Sequence, residues 1–278
     1  MSPVAPARPS PARVTYAWTR FWAPLGSVAI NLDGFLTDPE DELGARLNPN
    51  ARSWSALAEQ PCLVLLGEPG MGKSTEVERA ACARVEAGRA KHVDLSLYPN
   101  EERLLRDVFD DGAVARWIGD GAPFELFFDA LDESLFLGSA LVKNLIARLR
   151  GLPLERTRVR IACRTADWPS ALEVALRALY PESACSVWEL LPLRRKDAIE
   201  AARASGVPEP ESFVREIVRR DLEPLAIKPL TLEMLIRTSK DGPLPDSRRD
   251  LFEKATLLLA REPNELYPRA GQNLSPAQ

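Results

Sequence analysis

From residue 61 onward the chain alternates two kinds of stretch. Short, nearly continuous apolar runs occur at "CLVLLG" (62–67), "KHVDLSLY" (91–98), "FELFFD" (124–129), "RVRIACR" (158–164) and "CSVWELLPL" (185–193). Runs of this kind are read as strands buried on both faces. Between them lie "STEVERAACARVEAG", "EERLLRDVFDDGAVARWIG", "GSALVKNLIARLRGL" and "PSALEVALRAL", whose apolar positions recur at helical spacing. The alternation predicts an α/β fold: a five-stranded, mostly parallel sheet flanked by helices over 61–193. After 194 the strand pattern stops. Helical stretches broken at "GVPEPES", "IKPLT" and "KDGPLPDS" predict an all-helical subdomain over 194–265, with a tail at 266–278. Upstream, 13–60 mixes Trp18, Phe21, Trp22 and Trp54 with turn signals and is expected to pack on the core. Residues 1–12, rich in Pro and lacking an apolar run, read as a disordered lead-in rather than a signal peptide.

Composition narrows this picture. The 278 residues suffice for one large domain and a small one. The formal net charge of −4 and pI of about 5.4 disfavour a dedicated nucleic-acid binder. Only 7 of the 36 basic residues are Lys, a bias read as genomic base composition first. Cys62, Cys82, Cys163 and Cys185 form no CxxC pair, and His92 is the sole histidine, so a zinc site is not expected. Cys62 and Cys163 read as reduced core residues, which suits the cytoplasm. His92 reads as a strand residue rather than a ligand. No apolar run is long enough to span a membrane.

The chemistry concentrates where the first strand ends. Gly67-Glu68-Pro69-Gly70-Met71-Gly72-Lys73-Ser74 fits GxxxxGK[ST], and Thr75 continues it into a helix. Polyphosphate brings several negative charges together. Successive backbone N–H groups and a helix N-terminus can surround it if no Cβ blocks the turn. Residues 67–75 are therefore the expected nucleotide-binding set, with Lys73 reaching the β- and γ-phosphates and Ser74 holding Mg²⁺. A second strand ends in Asp129 within "FELFFDALDES". On a neighbouring strand, its carboxylate would emerge beside Ser74 and serve the same Mg²⁺. Asp132 and Glu133 follow three and four residues on. One of them polarises the attacking water, or the pair only complements a helix dipole.

The Asp129-Ala130-Leu131-Asp132-Glu133 spacing resembles the NACHT family, nucleotide switches of the STAND class of signalling ATPases. The resemblance covers roughly residues 14–265. "IACRTADWP" resembles the segment where that family places a γ-phosphate sensor, which would be Arg164, unless this arginine only makes a structural ion pair. "WELLPL" with "RRKDAIEAA" resembles the lead into the family's helical subdomain. "LAIKPLTLEML" resembles its proline segment, which would set Pro229 against adenine, unless Pro229 is a plain helix breaker. "RFWAPLGSVAINLDGFLTDPE" is similar to the lead-in of bacterial NACHT proteins of phage defence.

The resemblance implies a slowly hydrolysing ATPase that is closed with ADP and open with ATP, self-associates on activation, and serves sensor and effector parts not in this chain. Two departures stand out. NACHT proteins are longer, and many relatives hold ADP with a histidine in a later region, whereas His92 is the sole histidine here. Either that clamp is absent or the sequence is a fragment, and a fragment is the expectation. The absence of an NKxD base reader favours ATP over GTP. Two rivals stay open: an AAA+-like ATPase acting on nucleic acid, and a nucleotide-binding scaffold without significant turnover. A small-molecule kinase lid is disfavoured, because "LRRKD" and "VRRD" read as solvated helix faces.

Overall fold

A computed structural model describes residues 16, 18–134, 140–181, 184–240, 242, 244, 249, 250 and 253. The expected disordered lead (1–12), the C-terminal tail (266–278) and nearly all of "LFEKATLLLA" (251–260) lie outside the described residues.

The strands are β1 (Phe21–Pro24), β2 (Asn31–Leu32), β3 (Phe35–Leu36), β4 (Arg52–Ser53), β5 (Cys62–Leu66), β6 (Ala90–Asp94), β7 (Phe124–Asp129), β8 (Thr157–Cys163) and β9 (Cys185–Leu190). The helices of the first part are α1 (Glu42–Leu47), α2 (Trp54–Leu57), α3 (Lys73–Glu86), α4 (Glu101–Phe109), α5 (Gly112–Asp120), α6 (Leu131–Ser134), α7 (Ala140–Arg150) and α8 (Ser170–Leu179). Then follow α9 (Arg195–Ala204), α10 (Pro210–Arg219), α11 (Glu223–Ala226) and α12 (Pro229–Lys240).

The main sheet has seven strands in the order β4-β1-β9-β5-β8-β7-β6. Its five central and right-hand members, β9 through β6, run parallel. The expectation of five strands is corrected to seven, because β1 pairs antiparallel with β9 and β4 pairs with β1. The physical reason is that β1 spans only four residues, ends in Pro24, and finds its partner far along the chain, Trp22 opposite Leu190. Local patterning carries no trace of such a pairing.

The central strands separate two cores by side-chain alternation. Cys62, Val64 and Leu66 of β5 face the core built with α4, α5, α7 and α8. Leu63 and Leu65 face the other side, with Trp22, Leu57, Val77 and Ala81. Every residue of β5 and β7 is buried, which explains their near-continuous apolar sequence. A third core joins Trp18, Phe35 and Leu193 to the inner faces of α9–α12.

Two local stops sharpen the sequence reading. The expected second strand ends at Asp94, because its Oδ1 accepts from the Ser96 backbone N–H (3.0 Å) and hydroxyl (2.6 Å) and turns the chain into a 3₁₀ turn at Leu95–Leu97. The helical stretch 101–119 is two helices. Asp111 caps α5 by accepting from the N–H groups of Ala113 and Val114.

Just past the end of β9, Arg194 ties two segments together. Its buried guanidinium meets Asp197 of α9 at 2.7 Å, Asp38 at 3.0 Å and Glu40 at 2.7 Å. The stretch before α1 is thereby fastened to the start of the helical layer.

Candidate nucleotide site

β5 delivers the chain to the sheet's carboxyl edge at Leu66, and α3 begins at Lys73. The intervening loop turns through Gly70 (φ +78°) and Gly72 (φ +90°), conformations that L side chains rarely adopt. Space for one is tight as well. A Cβ on Gly70 would stand 3.1 Å from Leu230 Cβ, and one on Gly72 would stand 3.3 Å from Arg20 Nη1. The loop is thus bare backbone pressed between the N-terminal segment and α12. Lys73 Nζ folds back over it, donating to the carbonyls of Gly67 (2.5 Å) and Glu68 (3.2 Å). Burial lowers the Lys73 pKa, while Asp132 and Asp129 work in the opposite direction.

The acidic strand is not the immediate neighbour of β5, as the sequence reading assumed. β8 lies between β5 and β7. The correction has a chemical consequence: Arg164, the residue after β8, follows the strand that lies between the one leading into the glycine-rich loop and the one leading into the acids. Asp129 closes β7 and is buried, and its Oδ1 accepts from the Ala130 N–H at 2.8 Å. Ala130 takes φ +55°, the turn that swings the chain from β7 into α6.

Asp132 and Glu133 both sit in the first turn of α6, yet their surroundings differ. The Asp132 side chain is 7% exposed. Its Oδ1 accepts from the Arg164 backbone N–H (3.0 Å), and its Oδ2 meets Arg164 Nε (2.7 Å). The Glu133 side chain is 51% exposed and lies 3.6 Å from Arg164 Nη2. Asp132 is committed to holding Arg164, whereas Glu133 is loosely held.

A cavity of about 430 Å³ opens over the loop. All the residues singled out from the sequence line it except Gly67, Glu68 and Met71. Pro229 opens α12 and lines the same cavity. α12 also touches the loop directly, the Leu230 N–H donating to the Gly70 carbonyl at 3.3 Å, and Lys228, the residue before α12, pairs with Glu68.

Sequence reasoning missed Tyr16, Trp18, Arg20, Glu76, Leu230 and Glu233 in the lining. Tyr16 and Trp18 stack with ring centroids 4.3 Å apart and planes 4° from parallel. The signal was available: aromatic, aromatic and Arg at i, i+2 and i+4 share one side of an extended chain.

Ser74 and Asp129 offer hard oxygen donors at one edge of the cavity. Among the described residues no group of three His, Cys, Asp or Glu forms a metal cage of protein ligands alone. That donor set fits Mg²⁺, which characteristically shares few protein oxygens with substrate phosphates. No helix among the described residues is long and apolar enough to cross a membrane.

No family model and no curated protein matches the chain. Solved structures do. A Walker-type ATPase of Pyrococcus abyssi aligns at 18% identity and TM-score 0.46, over 78% of this chain and 73% of the other. The Cdc6p protein of Pyrobaculum aerophilum aligns at 13% identity and TM-score 0.46, over 73% and 64%. The RuvB Holliday-junction branch-migration motor of Thermotoga maritima aligns at 13% and TM-score 0.42, over 74% of this chain. The chain spans 65% of the length of that RuvB chain. Likeness at this level concerns the α/β fold alone; the chemistry of the site is read from this chain's own residues.

Proposed function

We propose that this chain is an ATP-binding, slowly hydrolysing nucleotide switch of the NACHT kind. The observation that carries the reading is the convergence of the loop at 67–75, the Asp129 carboxylate and the Asp132–Arg164 grip on one cavity. Polyphosphate would draw Lys73 off the Gly67 and Glu68 carbonyls onto the β- and γ-phosphates, exchanging neutral acceptors for charged ones. Bound Mg²⁺, held by Ser74 and Asp129, would supply charge neutralisation at the transferring phosphoryl group. Glu133 is the group free to take up a proton from, or orient, the attacking water. Arg164, aimed by Asp132, would stabilise charge on the γ-phosphate. Tyr16, Trp18, Pro229 and Leu230 give the cavity apolar walls suited to a base.

The switch part of the reading is supported by the start of α12, which rests on the phosphate loop through Leu230 of its first turn and through Lys228, the residue just before it. A change in loop shape with nucleotide would bias the packing of α9–α12, a population shift driven by differential contacts. Calorimetry with Mg·ATP tests the binding step. Wild type should bind and Lys73→Ala should lose detectable affinity; equal affinities would remove the reading.

A further inference from the structure

Arg20 lies under the phosphate loop and is only 4% exposed. A buried guanidinium needs either a carboxylate or a full set of acceptors. Among the described residues Arg20 has no carboxylate partner. Glu76, whose field it feels, is paired instead with Arg79 at 2.9 Å. Both hydrogen bonds from Arg20 go to main-chain carbonyls: Nη1 to Met71 (2.7 Å) and Nη2 to Leu191 (2.9 Å). Burial pushes its pKa down to about 10. The fold therefore accepts an expensive buried cation to hold one carbonyl of the loop and one carbonyl just past β9, the strand beside β5.

The peptide plane explains what that achieves. In a trans peptide the carbonyl of one residue and the N–H of the next point in opposite directions. Fixing the Met71 carbonyl therefore fixes the Gly72 N–H on the other edge of the same plane. Gly72 is the last residue before α3 and lines the cavity. Its amide is one of those a glycine-rich cradle turns on a phosphate.

We infer that Arg20 is a positioning residue of the phosphate cradle: by holding the Met71 carbonyl away from the ligand, it keeps the Gly72 amide aimed at the polyphosphate. The inference rests on reading the cavity as a nucleotide site. Arg20 borders the cavity, but both of its hydrogen bonds go to main-chain carbonyls, so the role assigned to it is exerted through the loop. The second bond, to Leu191, anchors the arginine to the sheet, so the loop is held at a fixed height above β5 and β9.

The test compares wild type, Arg20→Met and Arg20→Lys for affinity toward ADP and AMP, by displacement of a fluorescent ADP analogue. The cradle amides serve the outer phosphates, so Arg20→Met should lose roughly tenfold in ADP affinity while AMP affinity stays close to wild type. Arg20→Lys should recover part of the loss, because an ammonium can reach one carbonyl. A merely structural role would lower the melting temperature, or weaken both ligands alike. An unchanged ADP-to-AMP preference in Arg20→Met would therefore overturn the inference. Should Arg20→Met fail to fold, the same ratio in Arg20→Lys decides it: an intermediate value supports the role, and the wild-type value overturns it. Wild type that binds neither nucleotide would overturn the nucleotide reading itself and this inference with it, a result distinct from wild type that binds while the variants keep its preference.

Discussion

At the scale of single residues, the adjacent acids Asp132 and Glu133 have separate work. Asp132 is nearly buried and gives both carboxylate oxygens to Arg164, one to its backbone and one to its side chain. Removing it takes the acceptor from a part-buried N–H, a defect of about 1 kcal/mol, and leaves the guanidinium with only the looser contact to Glu133. Asp132→Ala should therefore lower thermal stability and turnover together. Glu133→Gln should leave stability and ATP affinity near wild type and slow single-turnover hydrolysis, by about 10²-fold or more if it acts as the base. Quenched-flow measurement on both variants separates the two. A Glu133→Gln rate equal to wild type would reduce Glu133 to a helix-start residue. The sequence made these residues visible as a pair but not as different. Which acid is buried depends on where β8 sits, and strand order leaves no mark on local patterning. Arg20 escaped notice for a related reason: one arginine among aromatics looks like a surface residue until its carbonyl partners, Met71 and Leu191, are brought beside it.

At the scale of elements, legibility followed burial. β5 and β7 were readable because both faces are covered and nearly all their residues are apolar. β1 was not, since its four residues gain strand character only from distant partners, β9 and β4. The glycine-rich loop between β5 and α3 was readable as spacing, whereas its contact with α12 was not, because Leu230 reads as an ordinary helix residue. α9 shows how a junction is fixed. Asp197 accepts from the Arg194 backbone N–H at 2.9 Å and from its guanidinium at 3.0 and 2.7 Å, with both side chains buried. Without Asp197, Arg194 keeps Asp38 and Glu40 as counter-charges, but its buried backbone N–H and part of its guanidinium lose their acceptor, a defect of about 1–3 kcal/mol. Asp197→Ala should thus lower the melting temperature by several degrees and loosen α9 against the segment holding Asp38, read by amide hydrogen exchange. Protection in α9 that matched wild type would show that the junction does not depend on this pair.

At the scale of the whole molecule, the proposed switch predicts that assembly depends on the nucleotide. Light scattering coupled to size-exclusion chromatography should give a smaller species with ADP and a larger one with a non-hydrolysable ATP analogue. One stable monomer in both states, turning over ATP many times a minute, would favour a self-contained enzyme instead. The parallel sheet was anticipated and its two antiparallel additions were not, so the sequence reading understated how far the N-terminal stretch is part of the sheet rather than a cover for it. The cavity repeats that lesson. Its walls come from Tyr16, Trp18 and Arg20 at one end of the described chain, from the loop and the acids in the middle, and from Pro229 and Leu230 near the other end. A molecule seated there would touch all three at once and join positions more than two hundred residues apart, as a removable cross-link does. Its binding energy would then be shared by the segment before β1, the sheet and the helical layer, so that these parts would melt as one unit when it is bound and gain separate freedom when it leaves.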